Sequence, residues 1–327
     1  MDDHVRSWFG RRTWHDSGMP VDRLRASRHR RTVSVVLPAL DEEATVGALV
    51  AGLVPLTRGP DPLVGEVVVV DSGSTDRTRE VSAAAGARVV TREEALPDVP
   101  VRPGKGEVLW RSLAATTGDV LVFVDSDLVE ADPAALVGSL LEPLFQDDRI
   151  ALVKGFYRRP LRLAGIEAAT GGGRVTELTV RPLLAALQPD LAGVVQPLGG
   201  EYAATRELLE SLPFAAGYGV EIGLLIDTLH RRGLDAIAQV DLGVRKHRNR
   251  TLLELGVMAR QIVDTVLRRD GTGSPGGAPS IVQFGRSGGR WVPQEHRVDG
   301  TDRPPMCDLR PAGTGAATGT APTVISS

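Results

Sequence analysis

Two aspartates that follow a short apolar run are the clearest candidates for chemistry in this sequence. The run covers 120–124, and Asp125 and Asp127 come directly after it. A run this short and this rich in β-branched residues predicts a strand buried on both faces of a parallel sheet. Ligands of open α/β sheets bind beyond the carboxyl ends of the strands, where residues two apart in an extended segment point to the same side. The pair therefore predicts a cation site, although an Asx turn that caps the next helix uses the same residue types.

A lysine between two glycines marks a second candidate position. Lys105 opens a predicted helix that ends near residue 117. Because this turn lies on the side of the sheet where the strands end, contact of the lysine with a nucleotide phosphate is favoured over a solvated helix start. The sequence has no GxxxxGK[ST] loop and no GxGxxG after its first strand, which argues against a P-loop ATPase and a dinucleotide-dependent dehydrogenase.

Three patterns in the second half of the chain could also belong to a site. Glycines 171–173 with Arg174 predict an anion site at a helix start, with a flexible hinge as the alternative. Glu221 lies near the start of a helix, either as a partner of the helix dipole or as a site carboxylate. The basic run 245–250 can be a solvated patch, a nucleic-acid contact or a phosphate site. The net charge of −3 and the lack of interleaved aromatic residues favour the phosphate site.

Strands and helices alternate along the chain and must position these residues. Predicted strands cover 32–38, 66–70, 87–90, 120–124, 150–156 and 236–244. Predicted helices end near 54, 86, 117 and 145, and two more cover 217–233 and 252–269. This order predicts an α/β fold with a Rossmann-like, mostly parallel sheet and right-handed crossovers.

Composition bounds the class of protein. A chain of 327 residues with 42% apolar residues can bury a full core. The single cysteine, Cys307, excludes a disulfide within the chain and a thiolate metal cluster, and favours a reducing compartment. The net charge gives no basic field for nucleic acid or an acidic membrane, and no apolar run approaches the ~18 residues that span a bilayer. We therefore expect a cytoplasmic protein without a nucleic-acid or membrane partner.

The sequence divides into four expected parts. The first is a polar, Arg-rich extension with Trp8, Phe9 and Trp14 as candidate anchors. The last is expected to be disordered, because it is rich in Gly, Pro, Ser and Thr and lacks apolar periodicity. In chain order, the four parts are the polar extension 1–31, the two central parts 32–160 and 161–270, and the part expected to be disordered, 271–327.

At this point the segments resemble a known family. Segments 35–43, 71–76 and 125–127 resemble nucleotide-sugar glycosyltransferases of the GT-A fold with a DxD motif. With 102–106, 170–177, 217–223 and 245–250 they resemble, more narrowly, the glucosyl-3-phosphoglycerate synthases. The resemblance covers about 33–258, and one departure is Asp41, where asparagine is expected.

The resemblance implies a reaction. Glucose passes from UDP-glucose, with GDP-glucose as a second donor, to the 2-hydroxyl of 3-phosphoglycerate with retention of configuration. It also implies Mg²⁺ as the cofactor, a homodimer, a nucleotide-sugar-binding half over 32–160 and an acceptor-binding half over 161–270. Because the implied metal ligands are an aspartate and a histidine rather than oxygen groups alone, we expect Mn²⁺ to substitute for Mg²⁺.

The resemblance also implies roles for individual residues. Glu221 is the best candidate for orienting the donor sugar or the acceptor hydroxyl, and Asp127 acts with it in catalysis. Asp127 and His247 would ligate the metal. Donor binding falls to Pro38, Ala39, Leu40, Glu42, Ser72, Lys105, Asp125 and Ser126. Acceptor binding falls to Gly173, Arg174, Thr176 and Asn249.

Alternatives from other classes remain open at the level of the sequence. A mannosyl-3-phosphoglycerate synthase that uses GDP-mannose would share nearly every site residue. A polyprenyl-phosphate glycosyltransferase would share the first half but usually needs a membrane attachment. A nucleotide- or RNA-binding regulator would use the basic run 245–250 and would bind RNA in a salt-sensitive way.

Overall fold

One eight-stranded sheet organises the chain. The computed structural model describes residues 1–15, 18–129, 132–158, 161–163, 166–168, 173–244, 251–272, 280–298 and 300–309. Its strands are β1 (Thr13–Trp14), β2 (Val33–Ala39), β3 (Glu66–Asp71), β4 (Arg88–Thr91), β5 (Val120–Phe123), β6 (Leu152–Arg158), β7 (Leu161–Leu163), β8 (Ile166–Ala168), β9 (Tyr202–Thr205), β10 (Ile237–Val244), β11 (Ser280–Ser287) and β12 (Arg290–Arg297). Its α-helices are α1 (Asp3–Arg12), α2 (Val21–Ser27), α3 (Val46–Leu53), α4 (Thr78–Ala84), α5 (Arg92–Ala95), α6 (Lys105–Ala115), α7 (Pro133–Gln146), α8 (Arg181–Leu187), α9 (Arg206–Glu210), α10 (Val220–Arg232) and α11 (Leu252–Arg269).

The strand order in the main sheet is β1-β10-β6-β9-β5-β2-β3-β4. All neighbouring strands run parallel except β9, which is antiparallel to both β5 and β6. The mostly parallel sheet predicted from the sequence is confirmed, and the antiparallel strand is an addition. β9 was not predicted because four residues with two alanines carry no strong strand pattern. Because β9 runs antiparallel to its neighbours, it begins at the edge of the sheet where the parallel strands end, so the loop before it lies at that edge.

Apolar side chains cover both faces of the sheet, as the unbroken apolar runs predict. In β5 all four residues are buried, with Leu121 and Phe123 on one face and Val120 and Val122 on the other. Residues of α6, α10 and α11 cover the first face, and residues of α2, α3 and α7 cover the second. Burial on both faces explains why these strands read as continuous rather than alternating patterns.

The N-terminal segment is part of the fold rather than a polar extension. Trp8 is buried, and its indole N–H donates to the carbonyl of Ile237 at 2.9 Å. Arg12 pairs with Asp147 at 2.7 Å, and β1 extends the sheet beside β10. The anchoring role expected for Trp8 is therefore seen, together with a strand that the polar sequence did not reveal.

The expectation that 271–327 is disordered is wrong for 280–298 and 300–309. Strands β11 and β12 form a hairpin. Residues 300–309, which we call the C-terminal strap, pack against α6, where Trp110 donates to the carbonyl of Pro304 at 2.8 Å. Backbone hydrogen bonds also join Arg303 to Phe214 in both directions, at 2.8 and 3.0 Å. Neither feature could be predicted from apolar periodicity, because the hairpin exposes its apolar residues and polar contacts hold the strap.

No helix in the part of the chain that the structure describes is long and apolar enough to cross a membrane.

Candidate active site at the carboxyl edge of the sheet

The loops that follow β2 and β3 bind each other at the carboxyl edge of the sheet. The amide of Ser72 donates to the carbonyl of Ala39 at 2.8 Å, and the amide of Glu42 donates to the hydroxyl of Thr78, also at 2.8 Å. Asp41 has a positive φ of 54°, and its carboxylate accepts from the amide of Thr75 at 2.8 Å. Asp and Asn are the residues that most readily adopt this left-handed conformation, so aspartate fits the position where the resemblance led us to expect asparagine.

The segment after β5 is tied to the loop after β2. The hydroxyl of Ser126 donates to the carbonyl of Pro38 at 2.9 Å, and the hydroxyl of Thr45 donates to the carbonyl of Ser126 at 2.6 Å. These bonds fix the start of the DxD turn against the first loop. Leu40 is 54% exposed beside them, so an apolar side chain at this edge is free to contact a ligand.

The sequence analysis assumed that Asp125 and Asp127 continue the extended strand, and this is wrong. β5 ends at Phe123, and Ser126 and Asp127 lie in a turn. Both aspartates are half-buried; Asp125 contacts Lys105, with 2.6 Å between Oδ1 and Nζ, whereas Asp127 lies two residues further along, in the turn. The two carboxylates therefore lie at the predicted edge but have different surroundings.

Lys105 joins the two halves of the chain. Its ammonium nitrogen, besides contacting Asp125, lies 2.8 Å from Oε1 of Glu221, the buried carboxylate near the start of α10. Burial by itself lowers the pKa of Lys105, but the charges of Asp125 and Glu221 outweigh it, and the pKa lies well above its ordinary value. The lysine is therefore a fixed positive charge, and Glu221 is paired with it in addition to lying near the start of the helix.

The glycines beside Lys105 make this contact geometrically possible. A Cβ atom at Gly106 would lie 2.0 Å from the carbonyl oxygen of Ala215, and one at Gly104 would lie 3.0 Å from the Cα of Gly217. Both glycines thus let the segment before α10 approach the start of α6. Gly104 also has a positive φ of 104°. The sequence showed the Gly-Lys-Gly pattern but not the backbone that packs on it.

Residues that the sequence analysis missed form the floor of the site. A Cβ atom at Gly200 would lie 2.1 Å from Asp125 Oδ2, so the carboxylate rests against this glycine. Lys154 is 2% exposed; its ammonium donates to the carbonyl of Gly199 at 2.5 Å and lies 4.8 Å from the centre of the Tyr202 ring. Burial lowers the pKa of Lys154 to about 8. The available signal was a lysine inside the otherwise apolar run 151–156.

The segment predicted to bind an anion lies beside α11. Gly173 has a positive φ of 79°, and its carbonyl accepts from the amide of Glu177 at 3.0 Å. Thr176 is buried at the start of the π-helical turn Thr176–Val180, and Arg174 is half-buried. This turn packs against α11, which also packs against the turn Gly217–Gly219 before α10. Glycines 171–172 and the predicted residues His247 and Asn249 lie outside the described residues.

Of the two predicted metal ligands, only Asp127 lies among the residues that the structure describes. Among them, no group of three His, Cys, Asp or Glu side chains is placed to bind an ion. Asp127 is half-buried at the edge of the sheet, where a carboxylate can bind a hard cation that takes its other ligands from phosphate oxygens and water. The residues present thus fit a divalent cation that is bound together with a phosphorylated ligand.

Comparisons with known proteins agree with this geometry. Residues 34–170 match the family described as "Glycosyl transferase family 2". The chain is 58% identical over 304 residues to a glucosyl-3-phosphoglycerate synthase of Mycolicibacterium smegmatis, and the match covers 93% of this chain and 98% of the relative.

Two crystal structures of the Mycobacterium tuberculosis glucosyl-3-phosphoglycerate synthase are also similar. One, in complex with Mg²⁺ and UDP, is 56% identical with a TM-score of 0.83, over 91% of this chain and 99% of that chain. The other, in complex with Mn²⁺, UDP-glucose and phosphoglyceric acid, is 55% identical with a TM-score of 0.82, over 91% of this chain and 98% of that chain.

Proposed function

We propose a function for this chain from one premise: it belongs to the glucosyl-3-phosphoglycerate synthases, a family of glycosyltransferases with the GT-A fold. It transfers glucose from UDP-glucose to the 2-hydroxyl of 3-phosphoglycerate and releases UDP. The observation that carries the proposal is the position of Lys105 between Asp125 and Glu221. This arrangement puts a fixed cation and two carboxylates at the carboxyl edge of the sheet, where nucleotide ligands bind.

The donor is proposed to lie across the loops after β2, β3 and β5. Leu40 is exposed there, and hydrogen bonds hold Ser126 against Pro38 and Ser72 against Ala39. Preformed loops of this kind reduce the conformational entropy that ligand binding costs. We assign uridine binding to Pro38, Ala39, Leu40, Glu42 and Ser72, and assign the ribose and diphosphate to Asp125, Ser126 and Lys105.

The acceptor is proposed to bind on the side of α11 and the turn that begins at Thr176. Gly173, Arg174 and Thr176 supply a backbone amide, a guanidinium and a hydroxyl, which suit a phosphate dianion. We add Asn249 to this set from the resemblance, and it lies outside the described residues. Arg174 is the central residue because a guanidinium can bind phosphate through two hydrogen bonds.

Mg²⁺ is the cofactor and Mn²⁺ substitutes for it, with Asp127 and His247 as the proposed protein ligands. When bound, the cation withdraws charge from the diphosphate as it leaves. Lys105 stabilises the same developing charge, since its ammonium is held at the start of α6. Glu221 is proposed to orient the donor sugar or the acceptor hydroxyl, from a position fixed by its contact with Lys105.

The reaction is proposed to retain the configuration at the sugar. The bond between the anomeric carbon and the diphosphate oxygen breaks, the bond to the acceptor oxygen forms on the same face, and the proton of the acceptor hydroxyl passes to the departing diphosphate. The test is an assay of UDP release with UDP-glucose, GDP-glucose and GDP-mannose against 3-phosphoglycerate, glycerate and water. We expect turnover with UDP-glucose and 3-phosphoglycerate. Preferred use of GDP-mannose, or RNA binding without sugar transfer, would replace the proposal.

We also propose that the chain forms a homodimer through its hairpin. The face of the hairpin that carries Val282, Phe284, Pro293 and Trp291 points to solvent, and Phe284 and Trp291 are 59% and 63% exposed. An isolated two-stranded hairpin is only marginally stable in water, so cover by a second copy is favourable. Sedimentation should give a dimer for the native chain and a monomer for Phe284→Glu. Arg290→Glu, on the opposite face, should stay dimeric, and two monomeric results would reject the interface.

A cytoplasmic location stays a prediction that cell fractionation would check.

A further inference from the structure

Lys154 has no place in the reaction described so far, although it lies directly beneath the site. The chain has 38 basic residues, and only Lys105, Lys154 and Lys246 among them are lysines. Two of these three lie in one buried cluster, and every basic position other than the three is an arginine. A compact ammonium on a flexible stem fits a confined site that the planar guanidinium does not. This choice of residue indicates a requirement at position 154 beyond positive charge on the surface.

The strand β9 brings Lys154 close to the carboxylate of Asp125. Lys154 and Phe123 are both paired in register with Tyr202, so β9 lies between the lysine and the end of β5. The loop that enters β9 contains Gly199, whose carbonyl accepts the lysine's hydrogen bond, and Gly200, which supports the carboxylate of Asp125. The lysine thus holds the backbone on which Asp125 rests.

The charges around Lys154 are those of the site. In order of influence, the groups that act on its ammonium are Glu221, Lys105, Glu201 and Asp125. Tyr202 completes the surroundings with its ring, and its buried hydroxyl makes no hydrogen bond among the described residues. Burial raises the pKa of this hydroxyl well above its ordinary value, so it adds no negative charge. The cluster therefore sets two lysines against three carboxylates.

Donor binding changes this balance. Without a donor, Lys105 pairs with Asp125 and Glu221. The proposed function requires the same ammonium to contact the diphosphate of the bound donor as well. Lys154 cannot follow, because it is buried and bound to Gly199. It is the cation that stays with the carboxylates throughout the reaction.

We propose that Lys154 is a positioning residue: it fixes the Gly199–Gly200 backbone beneath Asp125 and balances the charge of Glu221 while Lys105 engages the donor. The inference rests on the proposed transferase function. It predicts that Lys154 acts on the rate of the chemical step rather than on acceptor binding, since no acceptor group is assigned near it.

The test compares Lys154→Met and Lys154→Gln with Gln239→Met. Gln239 is the partner of Lys154 in register on β10, is equally buried, and bonds the carbonyl of Gly193 at 3.1 Å. It is therefore a matched buried polar residue outside the site. For Lys154→Met we expect kcat to fall by about 10- to 100-fold, with the KM for 3-phosphoglycerate within about twofold of the native value.

Stability separates positioning from a structural role. The pKa of Lys154 is lowered in the fold even with carboxylates nearby, so its charged form costs stability at pH 7, and the neutral methionine should leave Tm unchanged or raise it. Gln239→Met should lower Tm and keep kcat within about twofold, because it loses three hydrogen bonds away from the site. Lys154→Gln keeps a hydrogen-bond donor for Gly199 without the charge. Its kcat should lie between those of the native protein and Lys154→Met.

Each remaining outcome counts against the proposal. Native kcat in Lys154→Met would overturn it, as would a joint fall of kcat and Tm that Gln239→Met reproduces. If the native protein itself does not transfer glucose, the proposed function fails first, and the native control shows this independently of the variants.

Discussion

The ammonium of Lys105 at the start of α6 lies 2.8 Å from the carboxylate of Glu221 at the start of α10. Residues 116 positions apart thus form one charged pair, and the same ammonium reaches Asp125 at 2.6 Å. The close approach of two helix starts through Gly104, Gly106 and Gly217 produces the pair. The DxD segment and the second half of the chain are therefore coupled through a single side chain, the one to which we assign the donor diphosphate.

Lys105→Ala should lower kcat and raise the KM for UDP-glucose more than that for 3-phosphoglycerate. The loss of one preorganised charge at the leaving group is expected to cost about 10²- to 10³-fold in kcat. Initial-rate kinetics with each substrate varied in turn measure the split. A defect confined to the KM for 3-phosphoglycerate would show that Lys105 serves the acceptor.

Asp127→Asn should reduce kcat/KM by at least ~10²-fold, because the leaving diphosphate loses a cation worth several kcal/mol of transition-state stabilisation. Metal titrations of activity and of UDP binding measure the effect. Asp132→Asn is the matched control: Asp132 caps α7 by accepting from the amide of Ala135, and asparagine caps helices equally well. Unchanged turnover of Asp127→Asn without added metal would remove Asp127 from the site.

Arg174→Ala should raise the KM for 3-phosphoglycerate far more than that for UDP-glucose, the reverse of Lys105→Ala. If the acceptor phosphate makes two charge-assisted hydrogen bonds at about 1.5–3 kcal/mol each, glycerate should be ~10²- to 10⁴-fold less efficient than 3-phosphoglycerate. The same assay with both acceptors checks this. Equal efficiency with glycerate would show that the phosphate does not bind here.

Arg303→Met should destabilise the protein by about 3 kcal/mol, the lower end of the range for breaking a buried ion pair, because Arg111 still pairs with Glu107. Denaturant unfolding measures the change. Arg290→Met, on the exposed hairpin face away from the proposed dimer interface, should change stability by less than ~0.5 kcal/mol. A chain that ends at Leu309 keeps every described contact of the strap and should unfold like the native protein, whereas one that ends at Val298 should be destabilised like Arg303→Met.

The pH dependence of stability should reveal Lys154. Its pKa is lowered from 10.5 to about 8 in the fold, so between these values the unfolded chain binds more protons and stability rises with pH. Relative to Lys154→Met, the native protein should gain about 3 kcal/mol between pH 7 and pH 11. Unfolding of both proteins across this range gives the difference, and a constant difference would contradict a buried ammonium with a lowered pKa.

The sequence by itself determined the parallel strands, their buried character and the edge at which the DxD segment lies. These features depend on local patterns: an apolar run without alternation reports burial on both faces, and strand polarity places carboxyl ends together. It also marked Lys105 and Glu221, although as separate candidates. The alternatives were a solvated helix start for Lys105 and a partner of the helix dipole for Glu221. Only the tertiary structure joined them, since no periodicity encodes contact between two helix starts.

The tertiary structure alone decided β9, the floor residues Gly200 and Lys154, and the C-terminal strap. β9 becomes a strand because β5 and β6 leave unpaired backbone groups on either side of it, which its own four residues do not announce. The strap is held by Arg303 on Glu107 and by Trp110 on Pro304, contacts between residues almost 200 positions apart. Such polar contacts leave no pattern in the segment itself, so a chain that reads as a tail becomes part of the scaffold that holds Lys105.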